Sequence, residues 1–224
     1  MLIQIKTAAA TELRIVDNGI GIFKKIQAGL NLLDERHAVL ELAKGKLTTD
    51  PSRHTGEGIF FTSRMFDDFY ISSSGTYFSH AFGHDEDWIL ERQMSATGTG
   101  TLIFMSLNNH TSRTAQKIFD EYSSVDIGFT KTIVPVRLAQ YGDDKLVSRS
   151  QAKRLLDRVD RFKTVLIDFN EVTSIGQAFA DEIFRVFRNN HPGIDLYAIN
   201  ANGDIQDMVN RAQAVGAISA GSPS

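Results

Sequence analysis

A chain of 224 residues with 42% hydrophobic and 23% charged side chains has the make-up of an ordinary globular protein, with room for one large domain or two modest ones. Its formal charge of −3 excludes a broad nucleic-acid or anionic-membrane footprint, and the lack of cysteine excludes disulfides, thiolate metal sites and thiol nucleophiles. No apolar run approaches the ~20 residues of a spanning helix and the N-terminus lacks a signal-peptide layout, so a cytoplasmic chain without a membrane partner is expected.

Met1 to Lys6 reads as a strand, and the alternating Glu12 to Val16 as a second one that runs into Asp17-Asn18-Gly19-Ile20-Gly21. Gly19 and Gly21 let the backbone turn with positive φ and let a flat ligand approach the main chain. Asp17, at the end of the strand, is placed to accept a hydrogen bond from an exocyclic amine such as that of adenine. The same pattern suits an ordinary turn, and that alternative stays open. Helices follow over Ile22 to Gly29, with Lys24 and Lys25 exposed, and over Glu35 to Ala43. A polar, proline-broken loop then runs from Gly45 to Thr55, with Lys44, Lys46 and Arg53 as solvated charges or phosphate contacts.

Thr55-Gly56-Glu57-Gly58 opens a helical run with Ile59, Phe60, Ser63 and Phe66 on one face, so its free N–H groups would point at an anion near the glycines. Strands over Phe69 to Ser72, Thr76 to Ser79 and Trp88 to Leu90 predict an antiparallel sheet, and Gly98-Thr99-Gly100-Thr101 leads into a short apolar strand, Leu102 to Leu107. His80 and His84 have helical spacing, but Gly83 and the acidic turn argue against a helix, so no metal site is expected; the other histidines form no triad.

Together the three glycine clusters resemble the nucleotide site of the GHKL (histidine-kinase-like, Bergerat-fold) ATPases. The resemblance spans roughly residues 1–108. It implies ATP as ligand, with Asp17, Gly19 and Gly21 at the adenine and Gly56 and Gly58 at the phosphates. Gly100 and Thr101 would lie beside the Asp, the 45–55 loop would form a lid, and Lys24, Lys46 and Arg53 would be phosphate contacts. The family's upstream helix, which carries a base Glu and an Mg²⁺-binding Asn, has no counterpart before Asp17. Mg²⁺ is therefore expected only if that helix is supplied from elsewhere, and the chain by itself is expected to be catalytically inactive, whether as a fragment or as a form that has lost catalysis.

Thr111 to Tyr122 reads as an amphipathic helix capped by Thr111 or Ser112, with Ala115, Ile118, Phe119 and Tyr122 inward; the pattern relaxes over Ser123 to Gly128, where the domain boundary is placed. Strand and helix then alternate. A strand is expected over Ile133 to Leu138 with Pro135 at an edge, a helix from a Ser148 or Ser150 cap through Arg161, and a central strand covered on both faces over Thr164 to Phe169. Helix 177–188, strand 195–199 and helix 204–214 complete a layered unit. Thr173 and Ser174, between the central strand and the following helix, either cap that helix or mark a ligand or modification loop.

The run from Asp168 to Glu182 is similar to the central signature of STAS domains, closest to the STAS-like domain of unknown function found behind GHKL ATPase domains. This resemblance spans roughly 131–215. It implies regulation through a protein partner and makes Ser174, or Thr173, the phosphoacceptor candidate, beside Glu171, Asp181 and Glu182; the antagonists' Asp-Ser-Ser-Gly motif is shortened here. The expected chain is thus α+β / α/β. An incomplete Bergerat-type α/β sandwich with a mixed sheet occupies 1–127, a smaller STAS-like layered α/β domain 128–218, and a disordered tail 219–224. The function implied is bacterial signalling, as a kinase/antagonist partner-switching fusion. The alternatives are the sensor part of a transcription regulator, meeting DNA only through a further N-terminal region, and an inactive interaction module; self-association is left open.

Overall fold

A computed structural model describes residues 1–50, 52–82, 87–88, 99–124, 127–140 and 144–220. Gly98, His84, the Ile89-Leu90 end of the third expected hairpin strand and residues 221–224 of the expected tail lie outside them. The chain divides into two compact units, Met1–Val125 and Asp126–Ser224. Its class is α+β.

The first unit contains β1 (Leu2–Lys6), β2 (Ala10–Val16), α1 (Ile22–Leu30), α2 (Glu35–Lys44), α3 (Gly58–Met65), β3 (Asp68–Ser73), β4 (Thr76–Ala81), β5 (Asp87–Trp88), β6 (Leu102–Asn108), α4 (Ala115–Tyr122) and β7 (Ser123–Ser124). One six-stranded sheet runs in the order β1-β2-β6-β3-β4-β5. All of its pairings are antiparallel, whereas the Bergerat resemblance implies a mixed sheet; parallel pairing is found in the second unit. Alternation builds the core. Phe69 and Ile71 of β3, Phe78 of β4 and Met105 of β6 are buried, and α2 and α3 pack over β3 and β4. β6 is not the fully buried strand its apolar run suggests, since most of its residues are half-buried.

Helix α4 starts later than the Thr111-Ser112 pair suggests. Thr114 is the N-cap, accepting from the Lys117 N–H at 3.3 Å. Ile118 and Tyr122 face inward as expected, but Ala115 is exposed and Phe119 remains 43% exposed, tilted against Phe61 with ring centroids 4.1 Å apart.

The second unit contains β8 (Gly128–Phe129), β9 (Lys131–Pro135), α5 (Arg149–Leu156), β10 (Thr164–Asp168), α6 (Gln177–Asp181), a π-helical stretch (Glu182–Phe187) that runs on into α7 (Arg188–Asn190), β11 (Asp195–Ile199) and α8 (Gly203–Ala220). Its sheet is parallel in the order β11-β10-β9, with Asp168 level with Ile199 and Pro135, so all three strands end together. β9 begins earlier and stops earlier than the hydrophobic run suggests. Pro135 has no N–H to continue the ladder, and the chain turns into a 3₁₀ segment, Val136–Ala139. β10 is central, but Val165 and Ile167 are buried while Thr164 and Leu166 are half-buried, so one face carries the core rather than both. α5 ends at Leu156 because Arg158 adopts a left-handed conformation (φ 59°), and a 3₁₀ turn over Val159–Arg161 replaces the expected last turn. α8 continues through Ala220, beyond the expected Ala214 and into the first residues of the expected tail.

Of the two candidate caps for α5, Ser148 takes the position. Its Oγ accepts from the Gln151 N–H at 3.2 Å and Gln151 Oε1 accepts from the Ser148 N–H at 2.9 Å, a closed capping box. Ser148→Ala is therefore expected to lower unfolding free energy by about 1 kcal/mol, and Ser150→Ala to leave it within about 0.5 kcal/mol, in urea denaturation followed by circular dichroism.

Candidate functional site

Where β2 ends, two of the glycine clusters are built into one another. The Asp17 N–H donates to Thr101 O at 3.0 Å, the Ile22 N–H at the start of α1 donates to Thr101 Oγ1 at 3.0 Å, and Ser73 Oγ donates to Gly100 O at 2.9 Å. A Cβ on Gly100 would lie 2.2 Å from Asp17 O, at a φ of 116°, and one on Gly21 would lie 2.4 Å from Ser73 Oγ, at a φ of 93°. These two glycines are thus required by the fold. Asp17 itself is exposed, with Oδ1 accepting from the Gly19 N–H at 2.7 Å, an Asx turn that leaves Oδ2 turned to other donors.

Beyond α1 lies a cavity of about 630 Å³. Ile22, Lys25 and Ile26 of α1 form one wall, the 47–56 loop another, and Gly58, Ile59 and Phe60 of α3 the third. The loop is closed at its neck, where the Leu47 N–H donates to Gly56 O at 3.1 Å and a Cβ on Gly56 would meet the Leu47 backbone at 2.5 Å. Within it Ser52 Oγ donates to Asp50 Oδ1 at 2.6 Å, and Arg53 Nε stands 3.7 Å from Asp50 Oδ2. Gly58 is different in kind. A Cβ there would meet nothing within 4 Å; Gly58 is exposed and borders both this cavity and a second one lined by Phe61, Met65, Phe66 and Phe119.

Of the residues expected at the nucleotide, Arg53, Gly56 and Gly58 line this cavity. Asp17, Gly19, Gly21, Gly100 and Thr101 form the corner at the start of α1, whose Ile22 is a lining residue. Among the described lining residues the α1 cation is Lys25, not Lys24, and Lys46 is absent. His54 joins Lys25 and Arg53 there, a side chain that reasoning from glycine clusters passed over although it neighbours Thr55-Gly56. Lys44 is not a solvated loop charge but is buried, its Nζ 2.5 Å from Glu41 Oε1. Burial pushes the Glu41 carboxyl up, and His37 and Lys44 more than offset this, leaving it below the ordinary carboxylate range.

In the second unit the loop 169–176 leaves the common C-terminal end of the strands. Asp168 Oδ1 accepts from the Asn170 N–H at 3.0 Å and from Asn200 Nδ2 at 2.9 Å, and Asn202 Nδ2 donates to Thr173 O at 2.9 Å. Gly176 is the N-cap of α6, without a side-chain cap, and its N–H donates to Leu146 O at 2.8 Å. Thr173 and Ser174 are exposed, so the capping reading of that pair is corrected: neither hydroxyl caps the helix. The acidic neighbours are also not bare. Glu171 pairs with Arg137, Asp181 with Arg185 and Arg149, and Glu182 lies 3.9 Å from both Arg149 and Lys153. Hydrogen bonding from Arg185, reinforced by the charge of Arg149, holds the Asp181 carboxyl below its usual range.

Residues 151–206 match the family model of a STAS-like domain of unknown function (DUF4325), a stretch that runs from within α5 to the start of α8 and includes the 169–176 loop. STAS-like domains act in regulation through protein contact, and the match supports that coarse role for the second unit. No curated protein and no solved structure matches the chain. No helix among the described residues is long and apolar enough to cross a membrane.

Two expectations follow. Gly100→Ala, which puts a methyl into the Asp17 backbone at positive φ, lowers unfolding free energy by at least about 2 kcal/mol, whereas Gly58→Ala shifts it by no more than about 1 kcal/mol, in paired urea denaturations. A carboxyl held low in the fold contributes stability that is present above its unfolded pKa and lost as pH falls. Thermal stability should therefore drop below about pH 4, with a shallower acid limb in Asp181→Asn.

Proposed function

We propose that the first unit binds ATP between α1, the 47–56 loop and the N-terminus of α3, and that the second unit turns the nucleotide state into contact with a regulatory protein partner. The observation that carries the proposal is a cavity of nucleotide size whose walls bring Lys25, Arg53 and His54 together with the sterically open Gly58 at the start of α3. A polyphosphate laid there would meet the N–H groups of the first turn of α3, which has no side-chain cap, two cationic side chains and the His54 imidazole. Asp17 Oδ2, at the far side of α1's first turn, is the acceptor left for the adenine amine.

The cavity does not fit Mg²⁺ as a resident ion. No carboxylate or carboxamide stands among its described lining residues, and hard divalent cations take oxygen ligands of that kind. Charge neutralisation then falls to Lys25 and Arg53, with the His54 imidazole beside them. The chain's role in this reading is binding and signalling rather than turnover. In the second unit, Ser174 is the modification point that fits: it is exposed, and its acidic neighbours are already paired with arginines and a lysine. A phosphate there would add unbalanced negative charge to the loop that meets a partner.

Titration calorimetry of the full chain with ATP tests the nucleotide reading. Binding is expected to be weak, to fall with added salt, to persist in EDTA, and to weaken when Mg²⁺ neutralises part of the triphosphate charge. Asp17→Asn should lose about 1–3 kcal/mol of binding free energy, and Gly58→Val should abolish binding without unfolding the protein. Absence of heat at millimolar ATP, or an Asp17→Asn variant that binds as well as the native chain, overturns it.

A further inference from the structure

The first unit carries a sheet edge with an unusual degree of self-complementarity. β1 is the outer strand of the six-stranded sheet, and every residue of it is exposed: Leu2 by 67%, Ile3 by 37% and Ile5 by 39%. At the opposite edge β5 is only two residues long, so β1 is the long open edge among the described residues. Its outward groups follow from the pairing with β2. Met1 and Val16 exchange both backbone hydrogen bonds, at 2.6 and 2.9 Å, and the Thr7 N–H donates to Ala10 O. Odd-numbered residues therefore bond inward to β2, while the N–H and C=O groups of Leu2, Gln4 and Lys6 point away from the sheet.

We propose that this edge pairs with β1 of a second copy of the chain, antiparallel, about a two-fold axis through Gln4. That register uses every outward group: Gln4 faces the partner's Gln4, and Leu2 faces the partner's Lys6, each pair exchanging two hydrogen bonds. A shift to either side leaves outward groups unpaired. The side chains agree. Ile3 and Ile5 stand on one face of the sheet, level with Arg14 and Glu12 of β2, and in the proposed register Ile5 meets the partner's Ile3. Each row across the seam thus runs from Glu12 through two isoleucines to the partner's Arg14, an acid at one end and a base at the other. On the other face Lys6 lies across from the partner's Leu2, where its stem covers apolar surface, and the two lysines stay roughly 13 Å apart. The contact is isologous, so it closes as a dimer and does not propagate. It is independent of the nucleotide reading.

The lack of native cysteine makes the test clean. Sedimentation of the full chain across roughly 1–200 μM is expected to show a monomer–dimer equilibrium. Gln4→Lys, which sets two ammonium groups face to face at the axis but alters an exposed residue of the monomer, should weaken the dimer about ten-fold or more while leaving the melting temperature unchanged at concentrations where the chain is monomeric. Under oxidation Gln4→Cys should cross-link to a covalent dimer, its Cα atoms about 5.5 Å apart across the axis, well ahead of Ile5→Cys, which points to the other face and is offset from its own counterpart. A chain monomeric throughout the range, a dimer indifferent to Gln4→Lys, or cross-linking no faster at position 4 than at position 5 each overturns the proposal.

Discussion

The first unit depends on a close approach of two backbones. Gly100 passes so near Asp17 that any side chain at that position would collide with the Asp17 carbonyl, and the same crossing lets the Asp17 N–H reach Thr101 O and Thr101 Oγ1 reach the first N–H of α1. β2, β6 and α1 are fixed at one point by this crossing, and the direction in which α1 leaves the sheet is set there. The wall that α1 offers to the cavity follows from it. So does the placing of Lys25, one turn along the helix from Gly21 O, which its N–H bonds at 3.0 Å.

Much of this was legible in the amino-acid sequence, because glycine at positive φ and a strand ending in a carboxylate leave a local mark. Of the two glycines expected to turn with positive φ, Gly21 does and Gly19 does not, its N–H being held instead by Asp17 Oδ1, and the alternation in β3 and β4 announces their buried face. Gly58 is legible in composition but not in meaning, since only the space around it separates a glycine needed by the chain from one facing a cavity. The cations were harder. Lys24 and Lys25 look alike in a helical pattern, and which one faces the cavity depends on the angle at which α1 departs. Lys44 reads as a loop charge until Glu41, one turn back, is seen to take it into the interior.

The second unit shows the same division. Its strand order and the loop at the end of β10 follow from hydrophobic runs and a helix start. The end of β9 and of α5 do not, because Pro135 and the left-handed Arg158 interrupt patterns that continue in hydrophobicity. The loop's hydroxyls look like caps by position, yet Gly176 is drawn against Leu146 by a backbone hydrogen bond and becomes the cap itself, leaving Thr173 and Ser174 on the surface. Long-range ion pairs such as Arg137 with Glu171 and Arg149 with Asp181 join residues more than thirty positions apart, which no local pattern announces.

The account turns on whether the cavity beside Gly58 is a nucleotide site. Amide-resolved NMR spectra of the isotopically labelled full chain, recorded with increasing ATP, test this directly. The account predicts shifts that cluster at 19–26, at 47–56 and at the first turn of α3, with Gly58 among the largest. Spectra that stay unchanged in all three stretches at saturating ATP, or that move only elsewhere, would contradict it.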